Sequence, residues 1–320
     1  MLPRILIALA AALTAASAFA QGYPTKPVRV VVTFPPGGTP DIYGRIMAVE
    51  LSKLWGQSVV VENRTGAGGT IGTDYAAKSA PDGYTLLFAA DASVTIAPHL
   101  YAKLPYDPVR DFAPIVNVTA GPFVLMANPA FPPNNVKELI ALVRSQPGKI
   151  SYASSGAGGQ QHLAMESIRT LAGNMDMIHV PYKGFGQGLA DVLANQVPLI
   201  FGGITASIQL TRSGKLKALG VTGPRRAKAL PDVPAIAETL PGFDITAWYG
   251  FLAPAGTPRE IVKKIHDDSV AIIHRADFLE RLDRDGIEPV GNTPEEFAAE
   301  IKRDIGRWEK IVKAAGVKPE

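Results

Sequence analysis

The rhythm of hydrophobic and polar positions changes repeatedly along this 320-residue chain. Val28 to Phe34 is a β-branched run ended by Pro35-Pro36-Gly37-Gly38, which reads as a buried strand followed by a sharp turn. Ser58 to Val61 and Tyr84 to Ala90 are further apolar runs of strand length, and Ile42 to Leu54 between them has helical spacing. More strands are predicted at Phe123 to Ala127, Ile150 to Ala153, Ile178 to Val180, Val197 to Phe201 and Leu216 to Val221. Helices are predicted at Val136 to Ser145, Gln160 to Leu171 and Gly188 to Ala194. This alternation predicts an α/β protein with largely parallel sheets and helices on both faces.

Toward the C-terminus the pattern becomes helical. Thr257-Pro258-Arg259-Glu260 and Thr293-Pro294-Glu295-Glu296 both read as capping boxes with Pro at the first helical position. After the second, Phe297, Ile301, Ile305, Trp308 and Ile311 recur at three- and four-residue spacing, one apolar face of a helix.

The N-terminus follows a different rule. Arg4 precedes an apolar run from Ile5 to Leu13, then small residues, then Ala18-Phe19-Ala20. That order predicts a signal peptide over 1–20, cleaved after Ala20. The run is too short for a span of roughly 20 residues. The chain has no cysteine, so a lipid anchor on a new N-terminal Cys, disulfides and Cys-ligated metals are excluded. The expected product is soluble and lies outside the cytoplasmic membrane, in the periplasm if the family resemblance drawn below holds.

Composition adds modest limits. The roughly 300 residues after the leader exceed one comfortable core and suggest two lobes. A content of 47% hydrophobic and 19% charged residues is that of a globular protein. The net charge is +3, with basic residues scattered among acidic ones, which gives no support to nucleic-acid binding.

Three glycine-rich loops between strand ends and helix starts carry the functional reading. They are Phe34-Pro35-Pro36-Gly37-Gly38-Thr39-Pro40-Asp41, Ser154-Ser155-Gly156-Ala157-Gly158-Gly159-Gln160 and Tyr182-Lys183-Gly184-Phe185-Gly186-Gln187-Gly188. Ligands of open α/β sheets bind at such ends. Glycine permits close backbone approach, and free N–H groups with the helix dipole favour an anion. A fourth glycine-rich stretch, Gly66-Ala67-Gly68-Gly69-Thr70-Ile71-Gly72, has Ile71 where a dinucleotide fingerprint needs glycine, so it is read as a turn.

Catalytic and metal-binding sets are absent from the sequence pattern, and no cofactor is implied. There is no G-x-S-x-G and no H-E-x-x-H. His162 is either a base for Ser154 or Ser155 or the maker of a structural hydrogen bond, and His179 is read as core. Asp41 either contacts ligand or caps the first helix.

The chain resembles the substrate-binding proteins of tripartite tricarboxylate transporters, the Bug-type receptors. The resemblance runs through Phe34-Pro35-Pro36-Gly37-Gly38 with Asp41, Val60-Val61-Glu62-Asn63-Arg64, Pro81-Asp82-Gly83-Tyr84, Tyr152-Ala153-Ser154-Ser155-Gly156 with His162-Leu163, His179-Val180-Pro181-Tyr182-Lys183-Gly184 and Leu230-Pro231-Asp232-Val233-Pro234. It implies a two-lobed, type II-like Venus-flytrap fold with two crossover hinge segments. Lobe 1 would hold 21–122 and 246–320, and lobe 2 would hold 123–245. It further implies capture of a small organic acid and delivery to an integral-membrane permease, or signalling to a sensor kinase. The expected ligand-binding residues are Phe34, Pro36, Gly37, Gly38, Thr39, Asp41, Ser93, Ser154, Ser155, Gly156, Gly158, Gln160, Tyr182, Lys183, Phe185 and Trp248. Two positions depart from the family pattern. Gly159 stands where a hydroxyl residue is usual, and Phe185 either offers an aromatic face to the ligand or packs inward.

Overall fold

The computed structural model describes residues 22–317. The signal-peptide reading lies outside them. Lobe 1 opens with β1 (Val28–Val32), α1 (Thr39–Trp55), β2 (Val59–Asn63), α2 (Thr70–Ala77), β3 (Thr85–Ala90) and α3 (Ala97–Leu100). β1 lies between β2 and β3, parallel to both. Val30 and Val32 enter one hydrophobic cluster and Val31 another, so both faces of this strand are covered. That two-sided burial is why the run is apolar without alternation.

β4 (Phe112–Ala127) then leads into the second lobe, made of α4 (Val136–Ser145), β5 (Ser151–Ser154), α5 (Gln160–Leu171), β6 (Ile178–Pro181), α6 (Phe185–Leu193), β7 (Leu199–Gly203), α7 (Ile204–Arg212) and β8 (Lys217–Val221). β5 pairs in parallel with β6 and β7. The chain returns through β9 (Thr246–Pro254), α8 (Arg259–Ile273), α9 (Ala276–Asp285), β10 (Glu288–Pro289) and α10 (Pro294–Ala314).

β4 is the shared spine. From Phe112 to Pro122 it pairs antiparallel with β9, and from Phe123 onward with β7 and β8. Thr222 ties the junction: its hydroxyl donates to the Ile245 carbonyl and accepts the Phe123 N–H at 2.8 Å. The sheets are therefore mixed, with antiparallel strands in the middle. Phe112–Pro122 and β9 do not announce themselves as strands in the sequence. Pro114, Gly121 and Pro122 interrupt the first, and the pairing slips at Pro114/Val116 and again at Asn117/Thr119.

The C-terminal helix has the expected capping box, with Thr293 accepting the Glu296 N–H and Glu296 accepting the Thr293 N–H. The other expected box does not form. The Thr257 hydroxyl donates back to the Pro254 carbonyl, and Pro258 occupies the cap position of α8. Phe297 and Ile301 of α10 pack in lobe 1, whereas Trp308 and Val312 pack in the core of lobe 2. The helix thus bridges both lobes rather than belonging to the first alone. Among the described residues no helix is long and apolar enough to cross a membrane.

Candidate ligand cleft

The strand ends of the two lobes face a shared cavity of about 330 Å³. Lobe 1 contributes Phe34, Gly68, Ala92, Ile96, Ala97, Leu100 and Tyr101; lobe 2 contributes Phe123 and Ser155 through Gln161. None of these residues carries a charge. The walls are mainly apolar, and polarity comes from backbone and amide groups.

Three helix starts at strand ends share one design, and that of α5 lies in the cavity wall. α1, α5 and α6 have glycine at the N-cap, namely Gly38, Gly159 and Gly184, and none has a side-chain cap. Three residues into each helix, a side chain reaches back to the N–H just before that glycine. Asp41 accepts from Gly37 at 2.9 Å, His162 from Gly158 at 3.0 Å, and Gln187 from Lys183 at 3.3 Å. The turn is fastened, while the first-turn N–H groups keep no partner within the helix. Gly37 and Gly158 sit at φ +86° and +72°, a region that favours glycine.

This geometry revises which amides are free. The N–H groups of Gly37, Ser155, Gly156, Gly158 and Lys183 all donate inside the protein, Ser155 to the Gln161 side-chain Oε1 and Gly156 to the Ser154 hydroxyl. Of the helix-start amides, those of Gln160 and Gln161 belong to residues of the cavity wall, at a helix end where the dipole favours an anion.

Side-chain placement separates the expected residues. Phe34, Ser155, Gly156, Gly158 and Gln160 line the cavity. Pro36, Gly37 and Gly38 are exposed on the neighbouring turn, and Thr39 is half-buried beside them. The Thr39 hydroxyl acts on the Tyr249 phenol at the junction of the lobes. Lys183 is exposed, and the Tyr182 hydroxyl donates to Asp191 at 2.6 Å. Phe185 packs inward: an added Cβ on Gly202 would lie 3.1 Å from its ring.

Four expected side chains are buried in protein instead of facing the cavity. Trp248 is a core residue, stacked edge-on against Phe297 at 4.9 Å with its indole N–H on Asp304. Ser93 is fully buried, its hydroxyl donating to the Ala90 carbonyl. Asp41 is 3% exposed and holds Gly37, Arg45 and Asn63. It fastens the turn without capping α1 in the usual sense. Burial works against its charge, but those three donors outweigh it and hold the carboxyl below the usual range.

Ser154 is 1% exposed and hydrogen-bonds His179 Nε2 at 2.7 Å. The serine–histidine contact therefore involves His179 and not His162. The two imidazoles stack at 3.9 Å, nearly parallel. Burial, then the neighbouring His162, pushes His179 down to about 4; burial also lowers His162. Both rings are neutral at neutral pH, as an acceptor at His162 Nδ1 requires.

From the segment after β3, sequence reasoning named only Ser93, which is buried, and missed the wall residues beside it. Asp91 to Tyr101, with a π-helical turn over Ala92–Ile96, supplies much of the lobe 1 wall. The strand-end rule used for β1, β5 and β6 would have found it if applied to β3 as well.

An uncharged cavity between two α/β lobes, lined by the open N-terminus of α5, is the arrangement of the two-lobed solute-binding proteins. Known proteins agree. The BugD periplasmic binding protein structure is 38% identical, with TM-score 0.81 over 93% of this chain and all of that one. Rpa4515 of R. palustris with adipate is 34% identical, with TM-score 0.85 over 93% and all of it. MatC of Rhodopseudomonas palustris with bound malate is 33% identical, with TM-score 0.79 over 91% and all of it. The sequence profile of the tripartite tricarboxylate transporter family receptor matches residues 43–317, and this chain belongs to that family of periplasmic solute-binding proteins.

Proposed function

We propose that this chain is exported, loses its leader after Ala20, captures a small aliphatic dicarboxylate between its lobes, and delivers it to a tripartite tricarboxylate-type membrane permease. The open N-terminus of α5 on an uncharged, apolar-walled cavity between the lobes carries this reading. Carboxylates at both ends of a short aliphatic chain match donors on both lobes, with the chain against Phe34, Ile96, Leu100 and Phe123. Adipate and malate in two relatives support a ligand of this size and charge. The inward packing of Phe185 argues against an aromatic acid.

Closure supplies the signal to the permease. A ligand that bridges both lobes stabilises the closed form through contacts the open form lacks. A micromolar dissociation constant corresponds to about −8 kcal/mol, within reach of several charge-assisted hydrogen bonds after ordering costs. The burial of Ser154 favours the receptor over a hydrolase, since a nucleophile must meet its substrate.

Calorimetric titration of C4 to C6 dicarboxylates and of benzoate-type acids, paired with small-angle scattering, tests this. The expected result is binding confined to the aliphatic series, with compaction on saturation. Tight benzoate binding, or saturation without compaction, overturns it.

A further inference from the structure

The hinge has a back as well as a front. β4 crosses between the lobes with Phe123 in the wall of the ligand cavity, while the preceding Pro122 lines a second cavity of about 230 Å³. Neighbours on a strand point to opposite faces, so the crossing strand stands between the two spaces. Ala120 and Thr246 line the second cavity from the crossing segments, Ala227 and Ala229 from lobe 2, and Ile287 from lobe 1. Arg225 and Lys228 of lobe 2 reach Glu288 and Asp283 of lobe 1 across its mouth, at 2.9 Å and 3.7 Å. The two banks of this cavity therefore belong to different lobes. All four side chains keep much of their surface in water, and ion pairs of that kind lend little rigidity.

One end of the cavity is pinned. Thr205 of α7 donates to the Asp285 carbonyl of α9 at 2.9 Å. Gly286 sits so close to Ile204 and Ile208 that an added Cβ would lie 2.8 Å and 2.9 Å from them. Lobe 1 touches lobe 2 there, with no room for a closer approach. The other fixed point is the crossing itself, where Thr222 holds Phe123 and Ile245 together. Two bodies held along such a line rock about it: when they part on one side, they approach on the other.

Resting on the closure reading above, we propose that the cavity behind the hinge is the space the lobes move into when the cleft opens, so that its free volume sets how much of the unliganded receptor is closed. Filling that space obstructs opening and leaves the walls of the cleft untouched. The apparent affinity of a receptor is its closed-state affinity reduced by the fraction closed, so a filled cavity tightens binding without any new contact to the ligand. Such an effect multiplies the affinity for every ligand by the same factor, which a change in the cleft wall would not do.

Three substitutions in the full-length mature protein test this. Gly223→Leu and Ala229→Phe fill the cavity from lobe 2, and Lys228→Trp obstructs its mouth from an exposed position that folding tolerates. An added Cβ at Gly223 meets only Arg225 O at 3.5 Å and Pro122 Cβ at 3.6 Å, ordinary contacts. Urea unfolding identifies the variants that fold as the native protein does. Succinate and adipate are titrated calorimetrically into each, and small-angle scattering is recorded without ligand. The folded variants are expected to be more compact before ligand is added. They should bind both acids tighter by one common factor of about tenfold, as when a closed form populated near 10% becomes dominant. Unchanged or weaker binding, tighter binding without compaction, or a gain for one acid alone overturns the hinge role and leaves the receptor reading intact. If neither acid binds the native protein, the dicarboxylate reading fails. Scattering without ligand then still decides the hinge, and no compaction in any folded variant overturns its role.

Discussion

The loop that opens α1 in lobe 1 and the loop that opens α5 in lobe 2 share a backbone and differ in chemistry. In each, a glycine at positive φ is followed by an extended glycine cap, at φ −76° and ψ 162° for Gly38 and φ −65° and ψ 160° for Gly159. In each, the third helical residue fastens the turn. Lobe 1 uses the Asp41 carboxylate, anchored further by Arg45 and Asn63. Lobe 2 uses the neutral His162 ring, which stacks on His179 and lies 3.7 Å from Glu166. One geometry can thus be held by a charge network or by a stack of uncharged rings. The requirement common to both is to fasten the turn without closing the helix end against a ligand.

The largest effect expected from breaking this comparison is in lobe 1. Asp41→Asn loses charge-assisted bonds to three donors and should cost about 2–3 kcal/mol, less than a fully buried pair because Arg45 regains water. His162→Asn keeps an acceptor oxygen for the Gly158 N–H and loses the stack, for about 1 kcal/mol. Urea unfolding of the two variants measures the difference. Equal losses would mean that the charge network adds nothing over the stack.

The legible part of this molecule is the local part. Strands buried on both faces, such as β1 and β3, show as continuous apolar runs, and glycine-rich strand ends locate the cleft. β9 and the first half of β4 were not legible, because each takes its strand form from a distant partner, as in the pairing of Phe112 with Pro254, about 140 residues apart. The same dependence on register hid the direction of Trp248. Neighbours on a strand point to opposite faces, so Trp248 enters the core while Tyr249 reaches the junction near Thr39 and Asp91. Which amides are free was hidden too, since it depends on side chains reaching back from inside the helix.

Acid should separate the two loops next. His179 titrates near 4 in the folded protein against an ordinary 6.5, and His162 is shifted in the same direction. The unfolded chain takes up these protons first as pH falls below 6.5. Stability present above that value is therefore lost down to about pH 4. Asp41, held below its ordinary 3.8, stays ionised through this window. Melting temperatures from pH 7.5 to 4 should fall for the native protein and fall less steeply for His179→Gln. Identical slopes would remove the imidazole stack as the acid-sensitive element.

The smallest expected effect is the most informative about ligand placement. Gly38→Ser and Gly159→Ser each put a capping hydroxyl where both lobes have none. An added Cβ at Gly38 meets Pro35 O at 3.6 Å, and at Gly159 it meets Gly156 O at 3.5 Å, so both substitutions fit. Each should raise stability by a few tenths of a kcal/mol, the modest advantage of serine over glycine at a cap. Each should also weaken dicarboxylate binding by about threefold, because the new hydroxyl takes an N–H that otherwise serves the ligand, at roughly half the net value of a hydrogen bond. A loss in both variants places one carboxylate on each lobe. A loss in only one assigns the charged end of the ligand to that lobe and leaves the other turn a structural copy. Tighter binding in either would show that its helix end is not what grips the ligand, and that a hydroxyl at this position is a better donor than the amides it covers.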